Sequence, residues 1–459
     1  MPHASGNPQP LPPAPVPARA PDDKHAWGPA VAWLRAHWRD PLYRNSYFLM
    51  LNSASAAGFG FLFWMVVARL YDRDTVGWGV GVVSAMTLAA LLGKFGVDAA
   101  LIRYVPPSGE RQRRKLLLGS LALSTGFTLA LATTFLYLFP RLLPALAPVR
   151  HSPLYALLFC AFAASMSASW VMDGYFIAER RASLSFLRNL IMNGLKLGVP
   201  FLGVVAASRF GIPFAWGVGI AASLVVAFAV TPGLWRRARP ENGPLIGRRA
   251  FMAYAGVNYV VNVSEWLPSL MLPLIVIATL GTEANATFYM AWTLASLAFF
   301  LTKAISQSTF AEMSHEPETL AKHLRKGAVH AVMVVVPFLI GGFLFGDWVL
   351  SMFGPEYREQ GYPVLVVLLS SSFFVAVTNL YLTLLKALDA RWELILLPAT
   401  LLSLSLVGAE ILLEPFGLLG LAAAWFAANL VIAAYALLRI PGHLRRSSSC
   451  RIPAPPQSA

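Results

Sequence analysis

Three lysines and three carboxylates fall inside stretches that are otherwise apolar: Lys94, Lys196 and Lys303, with Asp98, Asp173 and Glu265. A charge in such a setting costs about 3 kcal/mol or more unless it faces protein or water, so each is a candidate for function. Lys94 and Asp98 are four residues apart, which is one helix face, and Lys303 and Gln307 repeat that spacing. Two ammonium groups facing each other across a central cavity would hold an anionic head group such as a diphosphate. The same spacing also lets Lys94 pair with Asp98 and extend its amine toward the near end of its own helix. Both readings stay open at this point. Asn258, Asn262 and Glu265 form a second stripe at i, i+4 and i+7, and Asn189, Asn193 and Lys196 form a third. Amides and carboxylates at that spacing can hydrogen-bond sugar hydroxyls, or equally can bond neighbouring helices together. A carboxylate at the depth of Glu265 can change protonation as a cavity opens to either side, which suits it to ion coupling, with Asp98 as a second acid for that role. Asp173, near Glu179, Arg180 and Arg181, reads as a structural ion pair, and Trp78, Trp170 and Trp348 as interface or packing aromatics.

The elements that must position these side chains follow from composition. The 459 residues are 57% hydrophobic and 13% charged, against about 25% charged for ordinary soluble domains. With a mean hydropathy of +0.60, the chain belongs in lipid. A span needs roughly 20 mostly apolar residues. Twelve apolar stretches can be cut at polar breaks: 43–70, 75–102, 116–139, 152–177, 183–208, 212–235, 250–279, 284–310, 327–353, 362–385, 393–413 and 416–438.

The net charge of +14 could suggest nucleic acid, but the placement of the charges argues otherwise. Counting residues near the soft span ends, such as Arg44, Arg69 and Arg188, with the adjoining loop, 27 of the 36 lysines and arginines fall in the tails and alternate loops, 6 on the opposite side and 3 inside spans. By the positive-inside rule both termini are cytoplasmic, and no nucleic-acid partner is expected. The sequence divides into a proline-rich tail at 1–26, an amphipathic interfacial helix at 27–42, six-helix lobes at 43–240 and 241–439, and a tail at 440–459. Cys160 and Cys450 are too far apart to suggest a metal or redox pair.

A shift of 206 residues superposes Asn52 on Asn258, Tyr175 on Tyr381 and Phe210-Gly211 on Phe416-Gly417. Within spans two and eight the shift becomes 209, and Lys94 meets Lys303 while Asp98 meets Gln307. Six spans per repeat preserve orientation, so the halves are expected to be parallel repeats around a shared cavity. The fold class is therefore all-α: a polytopic membrane protein with twelve transmembrane helices in two six-helix lobes.

Nucleotide and zinc chemistry find no support. Gly77-Trp78-Gly79-Val80-Gly81 lacks the third glycine of a dinucleotide loop, Gly93-Lys94-Phe95 lacks the rest of a phosphate-binding loop, and His315-Glu316 is followed by Pro317. No cofactor or metal is expected.

Several stretches resemble the oligosaccharide (O-antigen type) flippase family of the multidrug/oligosaccharidyl-lipid/polysaccharide exporter superfamily. They are Val67-Ala68-Arg69-Leu70 running to Gly77, Phe95-Gly96-Val97-Asp98 to Arg103-Tyr104, and Tyr175 to Arg181. Phe353-Gly354-Pro355-Glu356-Tyr357 and Phe416-Gly417 with Gly420 are similar, so the likeness covers about Tyr43 to Arg439. The resemblance implies a V-shaped pair of lobes that alternates access and moves a polyprenyl-diphosphate-linked oligosaccharide from the inner to the outer leaflet of a bacterial plasma membrane. It also implies coupling to a proton or sodium gradient and a monomer among membrane lipids. A cationic cavity lined by the first two spans of each lobe is implied as well, which favours Asn52, Lys94, Asn258, Asn262, Glu265 and Lys303. Lys196 joins them as a substrate-binding candidate from its own stripe. The intramembrane charges counted here sum to zero, which departs from a strongly cationic cavity. Two alternatives stand beside a flippase for O-antigen or exopolysaccharide synthesis. A multidrug or cation antiporter of the same superfamily would use the acids Glu265 and Asp98. A membrane glycan polymerase or ligase would need a long outer loop with catalytic arginines, whereas the longest here, near 346–362, carries only Arg358.

Overall fold

A computed structural model describes residues 41–138, 146–231, 247–315 and 319–449, and among them all regular structure is helical. The first half contains α1 (Pro41–Leu70), α2 (Arg73–Gly93), α3 (Val97–Tyr104), α4 (Glu110–Tyr137), α5 (Ala147–His151), α6 (Pro153–Ala178), α7 (Ala182–Gly198), α8 (Gly203–Ala206) and α9 (Gly211–Ala229). The second half contains α10 (Arg248–Thr279), α11 (Thr282–His315), α12 (Leu320–Ser351), α13 (Pro355–Ser370), α14 (Ser372–Ala387) and α15 (Arg391–Ser449). The tail expected at 1–26 and the interfacial helix expected at 27–42 lie outside the described residues, apart from the first residues of α1.

Among the described residues ten helical segments are long and apolar enough to cross a membrane, with α13 and α14 joined into one. The segment Trp392–Arg445 counts as one of the ten, but it folds back at Gly417, whose φ of 59° lies in the left-handed region that favours glycine. Its two arms lie close: a Cβ on Gly408 would meet that of Ala424 at 3.1 Å. The fifth expected span is α7, only 17 residues long and carrying Arg188 and Lys196, prolonged by a 3-10 turn at Val199–Phe201 and by α8. Together these account for the twelve spans expected. The described chain ends at 41 and 449 share one end of the bundle, termed proximal; the opposite end is distal.

Helix neighbours repeat between the halves. In the first, α1 packs on α7, α4 on α6, and both α6 and α7 on α9. In the second, α10 packs on α15, α12 on α13, and α14 on α15. Lipid gives helices no hydrophobic reason to associate, so close backbone approach matters most. The central helix α2 shows this best, being 89% buried over its apolar window and rich in glycine and alanine. Gly77 is obligatory there: a Cβ would fall 1.7 Å from the Thr282 carbonyl oxygen at the start of α11.

Two expectations need correction. Span two is not continuous over 75–102. It breaks after Gly93, where Phe95 (φ 50°) and Gly96 (φ 67°) turn the chain before α3. Gly96 lies so close to α10 that a Cβ would reach the Ala255 carbonyl oxygen at 2.3 Å, and only a bare backbone permits that approach. Arg188, counted with the loop charges, is instead a fully buried side chain inside the first lobe.

Candidate functional site

Span two ends in a cap, and that places its lysine. Lys94 is the residue at the C-terminus of α2, and its Nζ lies 2.8 Å from Asp98 Oδ2 across the break. The ammonium also sits 5.2 Å from the centre of the Trp170 ring on α6. The Lys94 side chain is 7% exposed, Asp98 22%. The cation is thus sealed behind its carboxylate.

A second buried cation lies beside the first. Arg188 on α7 spreads its fork over both carboxylate oxygens of Asp173 and over Ser169, all on α6, and reaches Ser223 on α9 at 3.2 Å. It donates in addition to Asn189 Oδ1 at 2.7 Å, and Asn189 Nδ2 donates to Asn52 Oδ1 on α1 at 2.9 Å. One guanidinium therefore ties four helices of the lobe together, the planar multi-donor geometry that arginine alone supplies. The expected structural pair of Asp173 exists, but its partner is Arg188 rather than Arg180 or Arg181. The signal was available: Arg188 immediately precedes the Asn189, Asn193, Lys196 stripe in an apolar helix.

Lys196 lies deeper on the same helix, with its Nζ 4.5 Å from the Trp216 ring centre and 5.2 Å from that of Phe63. It is buried among aromatics, one turn from Asn193, whose Nδ2 has no protein acceptor. These two sit inside the lobe.

The second lobe is arranged differently. Lys303 on α11 holds Glu265 on α10, Nζ to Oε2 2.7 Å, and here the lysine is the exposed partner at 42% against 25%. Asn262 Oδ1, one turn before Glu265, is buried without a protein donor, and Asn258 donates to the Tyr254 carbonyl oxygen on its own helix. Pro268 and Pro273 lie inside α10 just beyond Glu265. Each lacks an N–H, so the Ser264 and Ser269 carbonyls lose their helical donors. The structure does not bring Lys94 and Lys303 together; each is held by its own acid in its own lobe.

The lobes meet along two seams. Between the α2–α3 strip and α10 the seam is closed along its length: Tyr104 packs on Phe251, Phe95 stacks on Tyr259 at 5.4 Å, and Tyr259 donates to the Leu92 carbonyl oxygen at 3.1 Å. Farther along, Leu270 and Leu274 enter one apolar core with Trp78 and Val82. At the distal end Arg73 donates to Thr287 at 2.8 Å and to Gln360 at 3.1 Å, and Asn285 donates to the Gly77 carbonyl oxygen at 2.8 Å. The repeat-related seam, between α1 and α11, is joined near that same end, where Trp64 sits edge-on to Tyr289 at 4.7 Å. Toward the proximal end α1 turns to its own lobe, with Phe48 on Phe186 and Asn52 on Asn189, while Met50, Leu51, Phe300 and Leu301 are exposed. The result is a distal-closed molecule whose α1–α11 seam is open toward the proximal side.

Residues 42–243 match the family described as "Polysaccharide biosynthesis protein". The fold matches, over nearly the whole chain, that of a structure of the lipid II flippase MurJ in an inward closed conformation (TM-score 0.69, 11% identity, 88% of this chain and 90% of that one). It also matches an inward-facing multidrug resistance MATE family transporter of the MOP superfamily (TM-score 0.64, 15% identity, 86% and 96%). The family match covers a little under half of the chain, and the likeness to the two solved structures extends the same fold over the rest. Among curated proteins it is similar to the "Probable flippase AglR" of Haloferax volcanii, 26% identical over 195 residues. That match spans 40% of this chain and 40% of the relative's length. These relatives are described as flippases or transporters, and none as a glycan polymerase or ligase.

Proposed function

We propose that the protein is a secondary transporter that flips a polyprenyl-diphosphate-linked oligosaccharide from the inner to the outer leaflet for polysaccharide synthesis. The observation that carries this reading is the pair of unlike seams. One is sealed from end to end, whereas the other opens laterally between α1 and α11 while the distal end stays shut. A glycan attached to a long prenyl chain needs such an opening, because the head group must enter a polar space while the chain remains in the bilayer. Positive-inside placement of the loops makes the open side cytoplasmic, where such a substrate is loaded.

Within the cleft the roles divide by lobe. Lys303, the exposed cation, contacts the diphosphate, and the amides Asn52, Asn258 and Asn262 face sugar hydroxyls. Phosphate can displace Glu265 from Lys303, and the released carboxylate then takes up a proton or sodium ion. Substrate binding and ion binding are linked in that exchange. Lys94 and Asp98 brace the break in span two, where the first lobe touches α10.

The test is a leaflet-exchange assay in proteoliposomes with polyprenyl-diphosphate glycans, with and without an imposed pH or sodium gradient. Gradient-stimulated exchange supports the reading. Absence of exchange together with gradient-driven efflux of organic cations would replace it with the antiporter alternative, served by the half-buried carboxylates of Asp98 and Glu265.

A further inference from the structure

A strip along the distal part of α1, where it meets α11 and α12, lies beyond the open, proximal part of the cleft. Phe61, Met65 and Arg69 recur every fourth residue on one face of α1, over about 12 Å of helix. Around Phe61 is a cavity of about 380 Å³ lined only by apolar residues, among them Leu294, Phe338, Gly341 and Val349. Around Met65 and Arg69 is a second, about 360 Å³, bounded by Phe201 and Met352. Val349 and Met352 are successive on one face of the chain leaving α12, so the two cavities follow one another along the same seam.

Arg69 closes the distal end of this strip. Its Nε donates to the Met352 carbonyl oxygen at 2.7 Å and its Nη2 to that of Ser351 at 2.9 Å. Both acceptors are uncharged, so the guanidinium keeps a full positive charge and spare donors. Several acids of this end hold other partners: Asp72 caps Thr75, Asp74 pairs with Arg209, Asp347 with Arg358 and Glu356 with Arg73. Inward from Arg69 the strip turns wholly apolar. At Gly341 an added Cβ would meet no atom within 4 Å, so the deep cavity has free room on that side.

A cation at the membrane edge followed by an apolar channel toward the middle is the order of groups along a lipid. A soluble anion would satisfy only the first and a hydrocarbon only the second. An arginine fork suits a phosphate ester, and its full charge favours a head group of net negative charge over a zwitterionic one. We propose that one anionic phospholipid binds here, its phosphate on Arg69 and one acyl chain in the cavity beside Phe61. Because α1 belongs to the first lobe and α12 to the second, the bound lipid holds the distal seam closed. That consequence rests on the alternating access proposed above; binding itself does not.

The test uses the full chain in nanodiscs of phosphatidylcholine, with and without phosphatidylglycerol, read by thermal unfolding and by native mass spectrometry. Phosphatidylglycerol is expected to raise the unfolding midpoint and to remain bound as a retained lipid. Arg69→Gln removes this increment; because it also removes two seam hydrogen bonds, the readout is the difference between the two lipid mixtures rather than the midpoint. Gly341→Leu fills open space, leaves the phosphatidylcholine midpoint near the parent's, and also removes the increment. No increment in the parent, or an equal increment in both variants, overturns the proposal. So does the same rise produced by inorganic phosphate in phosphatidylcholine discs, which would make the chain irrelevant. Failure of the exchange assay would leave these readouts unaffected, so the two ideas fail separately.

Discussion

Lys303 and Glu265 form the mirror image of Lys94 and Asp98. Both are lysine–carboxylate pairs at repeat-related depth, 2.7 Å and 2.8 Å long, but in the first the lysine is the exposed partner and in the second it is sealed. A sealed cation already satisfied by its acid and an indole face has little left to offer a ligand. An exposed one can exchange partners. The two lysines that align in sequence are therefore expected to behave differently when replaced.

Lys303→Gln should lower leaflet exchange about 10-fold or more, the effect of removing one charge-assisted hydrogen bond of roughly 1.5–3 kcal/mol, with normal membrane insertion. Lys94→Gln should instead lower the unfolding midpoint, because it leaves Asp98 facing the Trp170 side of the lobe without its partner. Exchange rates in proteoliposomes and thermal scans of the same preparations separate the two. Equal loss of exchange with unchanged stability in both variants would restore a shared phosphate role for the lysines.

Glu265→Gln should uncouple exchange from the gradient. The amide still accepts a hydrogen bond from Lys303 but cannot take up a proton, so basal exchange persists while stimulation by an imposed gradient disappears. If the gradient still accelerates the variant, the coupling acid lies elsewhere, with Asp98 next in line.

Arg188→Met should be the most destabilising single change among the intramembrane charges, by about 3–5 kcal/mol, because it strands Asp173 inside the lobe. Exchanging both members, Arg188→Met with Asp173→Leu, should recover much of that loss. A double-mutant cycle on thermal stability in detergent measures the difference, and additive losses would contradict the coupling.

The helical architecture and the number of spans were legible in the sequence, because hydropathy and the alternation of basic loops are set by the bilayer and need no tertiary information. The repeat was legible too, and the break at Phe416-Gly417 that opens the twelfth span is where the long final segment folds back. The partners of the charges were not. Lys94 and Asp98 look like neighbours on one helix, but the chain turns between them at Phe95 and Gly96, a positive-φ pair required by contact with the other lobe. Lys303 and Glu265 are 38 residues apart, so no spacing rule could join them. Arg188 sits close enough to a predicted helix start to read as a loop charge, and only the packing of α6 and α9 around it reveals its burial.

Gly77→Leu should loosen the distal end. The Cβ alone would sit 1.7 Å from the Thr282 carbonyl oxygen; that oxygen is backbone and the Cβ is fixed rigidly to the backbone of α2, so α2 and α11 must separate. Separation also strains the neighbouring Asn285 bond to the Gly77 carbonyl and the Arg73 bond to Thr287. Spin labels on cysteines introduced at the exposed positions Leu202 and Trp348, one in each lobe, would report it once Cys160 and Cys450 are replaced by serine. The expected result is a longer, broader distance distribution than in the parent, with exchange reduced because the distal end no longer closes behind an entering head group. An unchanged distribution would mean that the close approach at Gly77 is not what holds the lobes together.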